Sequence, residues 1–112
     1  MFRKINKKNK HLSALIMEEI DNVATAICTT TIISNSIVKV RYPNGKSCKI
    51  KLKEDIPSFH KFAICNIPKG AYIYKYGYSI GISSKNIIKG SYVHRHNMIT
   101  QLGAKNDRNN GI

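Results

Sequence analysis

Apolar and polar residues alternate with period two along two stretches, Ile37-Val38-Lys39-Val40-Arg41-Tyr42 and Lys49-Ile50-Lys51-Leu52-Lys53. Alternation sends successive side chains to opposite faces of a strand, so each stretch reads as a half-buried strand. Between them lies Pro43-Asn44-Gly45-Lys46, with Asn-Gly at its centre, the dipeptide that tight hairpin turns favour. Residues 37–53 are therefore expected to form a hairpin with one aliphatic face and one solvated, lysine-lined face. Residues 23–32 are rich in β-branched side chains and also read as strand. Farther on, the apolar runs at 62–65, 71–74, 80–82 and 91–93 are too short for helices. Pro57, Pro68, Gly70, Gly77, Gly81 and Gly90 punctuate them. One stretch departs from the pattern: residues 12–20 favour helix by propensity, with Ser13 as a possible N-cap, before a turn at Asp21-Asn22. The expected architecture is a turn-rich, all-β domain over residues 12–102. A basic arm at 1–11 and a polar tail at 103–112 flank it.

A repeat runs through the second half. Asn66-Ile67-Pro68-Lys69-Gly70-Ala71-Tyr72-Ile73-Tyr74-Lys75-Tyr76-Gly77 aligns with Asn86-Ile87-Ile88-Lys89-Gly90-Ser91-Tyr92-Val93-His94-Arg95-His96-Asn97. The shared Asn, Ile, Lys, Gly and Tyr imply one local structure built twice. Because Tyr72 and Tyr92 share a repeat position, a packing role is expected of both. Tyr74 and Tyr76 give way to His94 and His96, which lie at i and i+2 and project to one face of a strand. Such a pair can place two imidazoles on one metal ion or one anionic ligand, and Asn97 adds a donor and an acceptor beside them. Tyr74, Tyr76 and Tyr78 alternate, which suggests an exposed aromatic patch.

Charge narrows the partners. The chain carries 19 Lys and Arg against 6 Asp and Glu, a formal charge of +13, within 112 residues. Arg3, Lys4, Lys7, Lys8 and Lys10 crowd the arm. Lys39, Arg41, Lys46, Lys49, Lys51 and Lys53 crowd the central hairpin. A field of this sign suits an anionic substrate, an acidic protein or a phosphate backbone, although biased codon usage would produce it equally well. Six carboxylates are too few for a carboxylate metal cluster within the chain. Cys28, Cys48 and Cys65 are odd in number and widely spaced, which reads as reduced thiols in a cytoplasmic protein. There is no apolar run long enough to span a bilayer and no expected secretory signal. Nor is there a GxSxG, HExxH, phosphate-binding or dinucleotide-binding motif, so no catalytic residue is assigned.

His60-Lys61-Phe62-Ala63, Ile67-Pro68-Lys69-Gly70, Lys75-Tyr76-Gly77, Ile80-Gly81 and Gly90 followed by Val93-His94-Arg95-His96-Asn97 occur in an order and spacing that resembles the SAF domain of the altronate dehydratase family. Asp21-Asn22-Val23-Ala24 extends the likeness, which covers about residues 14–102. The resemblance implies an SAF-type β-clip fold, in which residues 15–20 form a first strand rather than a helix, with Leu15, Met17 and Val23 facing inward. It also implies the small subunit or N-terminal domain of a sugar-acid hydro-lyase, not active alone, working with a large dehydratase subunit. Substrates in that family are small hydroxy acids that lose water or sulfite next to a carboxylate, assisted by a divalent metal such as Fe2+. On this reading His60, His94 and His96 are the candidate metal ligands, at a site shared with the large subunit. Lys61, Lys75 and Asn97 are the candidate substrate-binding residues. Two departures stand out: Phe59 occupies a position where the family favours Gly, and Asn66 one where it favours Asp.

Two other readings remain open. The basic surface and arm would serve a non-catalytic module that binds nucleic acid or an acidic ligand. A stand-alone domain that binds a carbohydrate acid without a partner is the third.

Overall fold

The computed structural model describes residues 12–100; the basic arm, including His11, and the tail at 103–112 lie outside them. Nine strands and no helix occur among the described residues. They are β1 (Ser13–Leu15), β2 (Val23–Ile27), β3 (Ile37–Arg41), β4 (Ser47–Lys51), β5 (Lys61–Ala63), β6 (Tyr72–Lys75), β7 (Tyr78–Ser83), β8 (Tyr92–Val93) and β9 (Met98–Thr100). Six form one sheet in the order β4-β3-β1-β2-β5-β8, and three form a second in the order β6-β7-β9. The all-β expectation holds.

The β3–β4 hairpin matches the alternation. Val38, Val40 and Ile50 are buried, while Lys39, Arg41, Lys49 and Lys51 are exposed. Gly45 takes the positive φ that the Asn-Gly turn requires, at 90°. Within the segment that is helical by propensity, Ser13–Leu15 form strand β1, paired antiparallel to β2 and parallel to β3, while residues 16–20, where the first strand is expected, are neither strand nor helix. Tertiary pairing outweighs a short propensity signal, because a lone helical turn has no partner for its backbone groups. The inward face of that strand differs by one residue from expectation. Ala14 and Ile16 are buried, whereas Leu15 is 37% and Met17 50% exposed; Val23 is buried as expected. A one-residue slip in register exchanges every side chain between faces. The small Ala14 fits the core between Ala26 and Val40, its cross-strand partners.

The repeat proves to be half of a larger regularity. Ile67 and Ile87 form an isolated bridge, each N–H donating to the other's carbonyl at 2.8 Å. The flanking asparagines reciprocate: Lys69 N–H donates to Asn86 Oδ1 and Lys89 N–H to Asn66 Oδ1, both at 2.8 Å. Asn66 therefore closes a turn as its partner does. Ile32 and Ile56 form a second such bridge, with Asp55 Oδ1 accepting from Ser34 N–H at 2.8 Å. After each bridging isoleucine comes a turn closed by a backbone hydrogen bond: Ser36 to Ile33, His60 to Pro57, Ala71 to Pro68 and Ser91 to Ile88. The third residue of each turn is left-handed: Asn35 (φ 71°), Phe59 (61°), Gly70 (89°) and Gly90 (92°). One residue beyond each turn a strand starts, β3, β5, β6 and β8 respectively. The two copies detected in the sequence share this corner and then part: β6 enters the three-stranded sheet, β8 the edge of the six-stranded one.

The second sheet is held to the first through Asp21 and Asn22. Asp21 is buried, and its carboxylate accepts from the backbone N–H groups of Met17, Glu18, Tyr76 and Gly77 at 2.8–3.2 Å. Asn22 adds its side-chain amide, donating to Tyr72 O at 3.0 Å and accepting from Tyr74 N–H at 2.8 Å. Tyr76 and Gly77 both have positive φ, at 56° and 82°, which makes them the tight turn between β6 and β7. The chain therefore reverses at Tyr76, and the expected Tyr74-Tyr76-Tyr78 face is split across a turn. Ile73, buried on β6, packs with Val23, Ala63 and Val93 of the large sheet.

Two stability outcomes follow. Asp21→Ala orphans backbone donors that had a charged acceptor, which costs about 3 kcal/mol or more, read as a drop in the urea midpoint. Phe59→Gly removes a side chain that is exposed and held at positive φ. The left-handed conformation costs a non-glycine residue ~1–2 kcal/mol and glycine's extra chain entropy returns about half of that. The melting temperature should rise by about 2–5 °C, and a fall would show that the Phe59 ring makes a stabilising contact.

Candidate functional site

The turns at 56–60 and 87–91 place their following residues on adjacent strands. β5 pairs antiparallel with β8, so Lys61 lies opposite Val93 and Phe62 opposite Tyr92. Alternation then carries His60, Tyr92 and His94 toward one side of the sheet and Lys61 toward the other. His60 Nδ1 and the Tyr92 hydroxyl are 2.6 Å apart. The His94 ring stacks on Tyr92 at 5.4 Å and 8° and lies 5.4 Å from the His60 ring. His96 meets the same tyrosine at 5.6 Å. The structure thus brings together all three predicted histidines, and Tyr92 is the ring they share.

Asn97 shapes the turn that presents them. It is buried; its Oδ1 accepts from His94 N–H at 3.0 Å and its Nδ2 donates to Tyr92 O at 2.8 Å. With both ends of the amide engaged, Asn97 holds the backbone of the turn that carries the histidines.

Lys75 arrives from the other sheet, on the hairpin that Asp21 and Asn22 secure. Its Nζ lies 5.0 Å from the centre of the Tyr76 ring, a cation–π distance. Lys61 is half-buried, and burial together with the neighbouring positive charge of Lys75 pushes its ammonium below the ordinary lysine value. His94 is pushed below the ordinary imidazole value by burial first, then by Lys61, His60, Arg95 and His96. Burial raises the Tyr92 phenol. Every charged neighbour that acts on Lys61 or His94 is a cation or a titratable imidazole. The site is a concentrated positive field, and desolvation strengthens its pull on an anion.

That arrangement suits a carboxylate better than a metal cation. The histidines gather around a phenol rather than around a common point, and His60 Nδ1 is already committed to Tyr92. Among the described residues no group of three His, Cys, Asp or Glu side chains is placed to hold a metal ion. The donor set therefore does not fit a divalent metal held by this chain alone.

Tyr92 escaped the sequence reading because its repeat counterpart is Tyr72, which is exposed and packs against Tyr74 instead. Its spacing of two from His94 carried the signal, since i and i+2 share a face. Arg95 was visible as the exchange partner of Lys75 and within the Val93–Asn97 motif, with no role assigned to it.

Titration of His94 gives a direct check. The unfolded chain takes up this proton at a higher pH than the folded chain, so stability falls as pH drops through the ordinary imidazole value toward the depressed one. Thermal unfolding at pH 7.5 and 5.5 should show a lower melting temperature at the acid end. His94→Gln should narrow that gap, and an unchanged gap would assign the acid sensitivity elsewhere.

The profile of the family described as altronate/galactarate dehydratase SAF domain matches residues 12–101. Altronate dehydratase of Escherichia coli (strain K12) is 40% identical to the chain over 53 residues, 47% of this chain and 11% of that enzyme. The aligned stretch is therefore a small part of the relative's length.

Proposed function

We propose, from the premise that this chain belongs to the altronate/galactarate dehydratase SAF domain family, that it is the substrate-gripping portion of a cytoplasmic hydro-lyase for sugar acids. Lys61 and Lys75 would hold the carboxylate of an altronate- or galactarate-like hydroxy acid. The His60–Tyr92–His94–His96 cluster, on the other side of the sheet from Lys61, would lie at the junction with the large chain. A large dehydratase chain would supply the remaining machinery, because the domain aligns with only 11% of its E. coli relative.

The observation that carries this reading is the Lys61–Lys75 pair: two cations from different sheets within electrostatic reach, one of them half-buried, with no acidic neighbour among the described residues acting on it. Placing like charges together in a partly desolvated site is unfavourable unless an anion joins them. A carboxylate held there accepts charge-assisted hydrogen bonds. These strengthen as negative charge spreads onto its oxygens during loss of the neighbouring proton. A divalent metal, ferrous iron in the family expectation, supplies Lewis acidity in such dehydrations. We assign its ligands to the large chain, because the cluster on this chain does not fit it.

Binding of nucleic acid is the weaker reading. The exposed Lys39, Arg41, Lys49 and Lys51 of the β3–β4 hairpin form a basic face. Strand residues there offer no aromatic ring on which a base would stack.

Co-purification with a dehydratase large chain and assay of altronate and galactarate tests the proposal. Turnover should require both chains. Lys61→Met should raise KM by about 10–100-fold, the loss of one or two charge-assisted hydrogen bonds. Full turnover by the large chain alone, or an unaltered KM, would reject the role.

A further inference from the structure

One buried polar atom among the described residues has no hydrogen-bond partner, the Thr25 hydroxyl. Thr25 is 7% exposed. On β2 it lies directly opposite Lys61 of β5 and, on its other side, opposite Leu15 of β1. Residues paired in this way project from the same face with their Cβ atoms close together. That face is the one on which β6 packs, since Val23 and Ala63, the next residues of the same face, share a core cluster with Ile73. Thr25 and Lys61 therefore face the seam where the two sheets meet, and Lys75 of β6 lies within electrostatic reach of Lys61.

An unsatisfied hydroxyl is expensive to bury, and valine has the same branched shape without that cost. A β-strand position between Ala24 and Ala26 would accept valine readily. The hydroxyl's place in the fold is unexplained by packing or by any internal hydrogen bond. It lies opposite Lys61, on which the charge of Lys75 acts and, among the described residues, no acidic neighbour does.

The geometry points to a carboxylate subsite built from Thr25, Lys61 and Lys75, in which the Thr25 hydroxyl donates to the bound acid. The subsite deepens the function proposed above and rests on it. In the free chain the hydroxyl is closed from solvent. The lysine beside it is long and flexible, and its ammonium moves toward the ligand when an anion arrives. That movement uncovers the hydroxyl and gives it the acceptor it lacks. The chemical class of the ligand is a hydroxy acid with one carboxylate held between Thr25 and the lysines.

The test sets binding against stability in the same variant. Altronate and galactarate are titrated into the full chain and into Thr25→Val and Thr25→Ser, with affinity read from amide chemical shifts and melting temperature from calorimetry. Thr25→Val should melt higher than the parent, because an orphaned hydroxyl has gone, yet bind the acid about tenfold more weakly. Thr25→Ser keeps the donor and should stay within about twofold of the parent affinity. A valine variant that melts higher and binds equally well overturns the subsite and leaves the lysine grip standing. Absence of saturable binding of either acid by the parent chain, with Lys61→Met indistinguishable from it, overturns the lysine grip itself, and the subsite with it.

Discussion

Asp21 is the point on which the two sheets depend. A buried carboxylate that accepts from Met17, Glu18, Tyr76 and Gly77 joins the end of the first strand to the tip of the β6–β7 hairpin. Its neighbour Asn22 continues the seam by pairing with Tyr72 and Tyr74. Backbone donors with a charged acceptor are strongly held, and removal of the acceptor leaves all of them unpaired at once. The apolar contact between Ile73 and Val23, Ala63 and Val93 then closes over the seam. The same hairpin carries Lys75, which acts electrostatically on Lys61. A polar anchor in the first quarter of the chain thus sets the geometry of a site formed by the last half.

Some of this was legible in advance, for identifiable reasons. The β3–β4 hairpin carries its signal locally: strict alternation on both strands and Asn-Gly between them. His94 and His96 do come together against Tyr92, but from the turn after β8 rather than from one face of a strand. The inward face of β1 was not legible, because both registers of Leu12-Ser13-Ala14-Leu15-Ile16-Met17 present apolar residues, and only the pairing with Ala26 and Val40 chooses between them. Asp21 offered no sign of its four-donor role, which depends on Tyr76 and Gly77, 55 and 56 residues away. The corners at 32–36 and 56–60 were hidden for another reason. Asn35 and Phe59 hold the left-handed position that Gly70 and Gly90 hold elsewhere, so backbone conformation is repeated where residue identity is not. The departure noted at Phe59 is thus a change of residue within an unchanged turn.

Tyr92 shows how a repeat can mislead about chemistry. Its alignment with Tyr72 implied a common packing role, yet the strands that carry them enter different sheets. What the copies share ends with the corner. Beyond it, side-chain environment is set by the sheet each strand joins. The exchange of Tyr74 and Tyr76 for His94 and His96 is accordingly a comparison between two sites rather than two versions of one.

The corners explain why the site lies where it does. Each begins with an isoleucine bridge that ties two distant points of the chain, and each releases a strand one residue past its turn. Three of those strands carry the candidate residues: β5 begins at Lys61 just after His60, β6 ends at Lys75, and β8 leads into His94 and His96. A rigid turn fixes the first residues of a strand better than its distant end, which is useful where cations must be held close against their own repulsion. Only His60 and Lys61 lie at a corner; Lys75 closes β6, His94 and His96 sit in the turn after β8, and the lysines come from strands of different sheets. Lys61 and Lys75 come within electrostatic reach because their strands belong to the two sheets that pack at this seam. The positive field that composition showed only as a total is, at this seam, a consequence of topology.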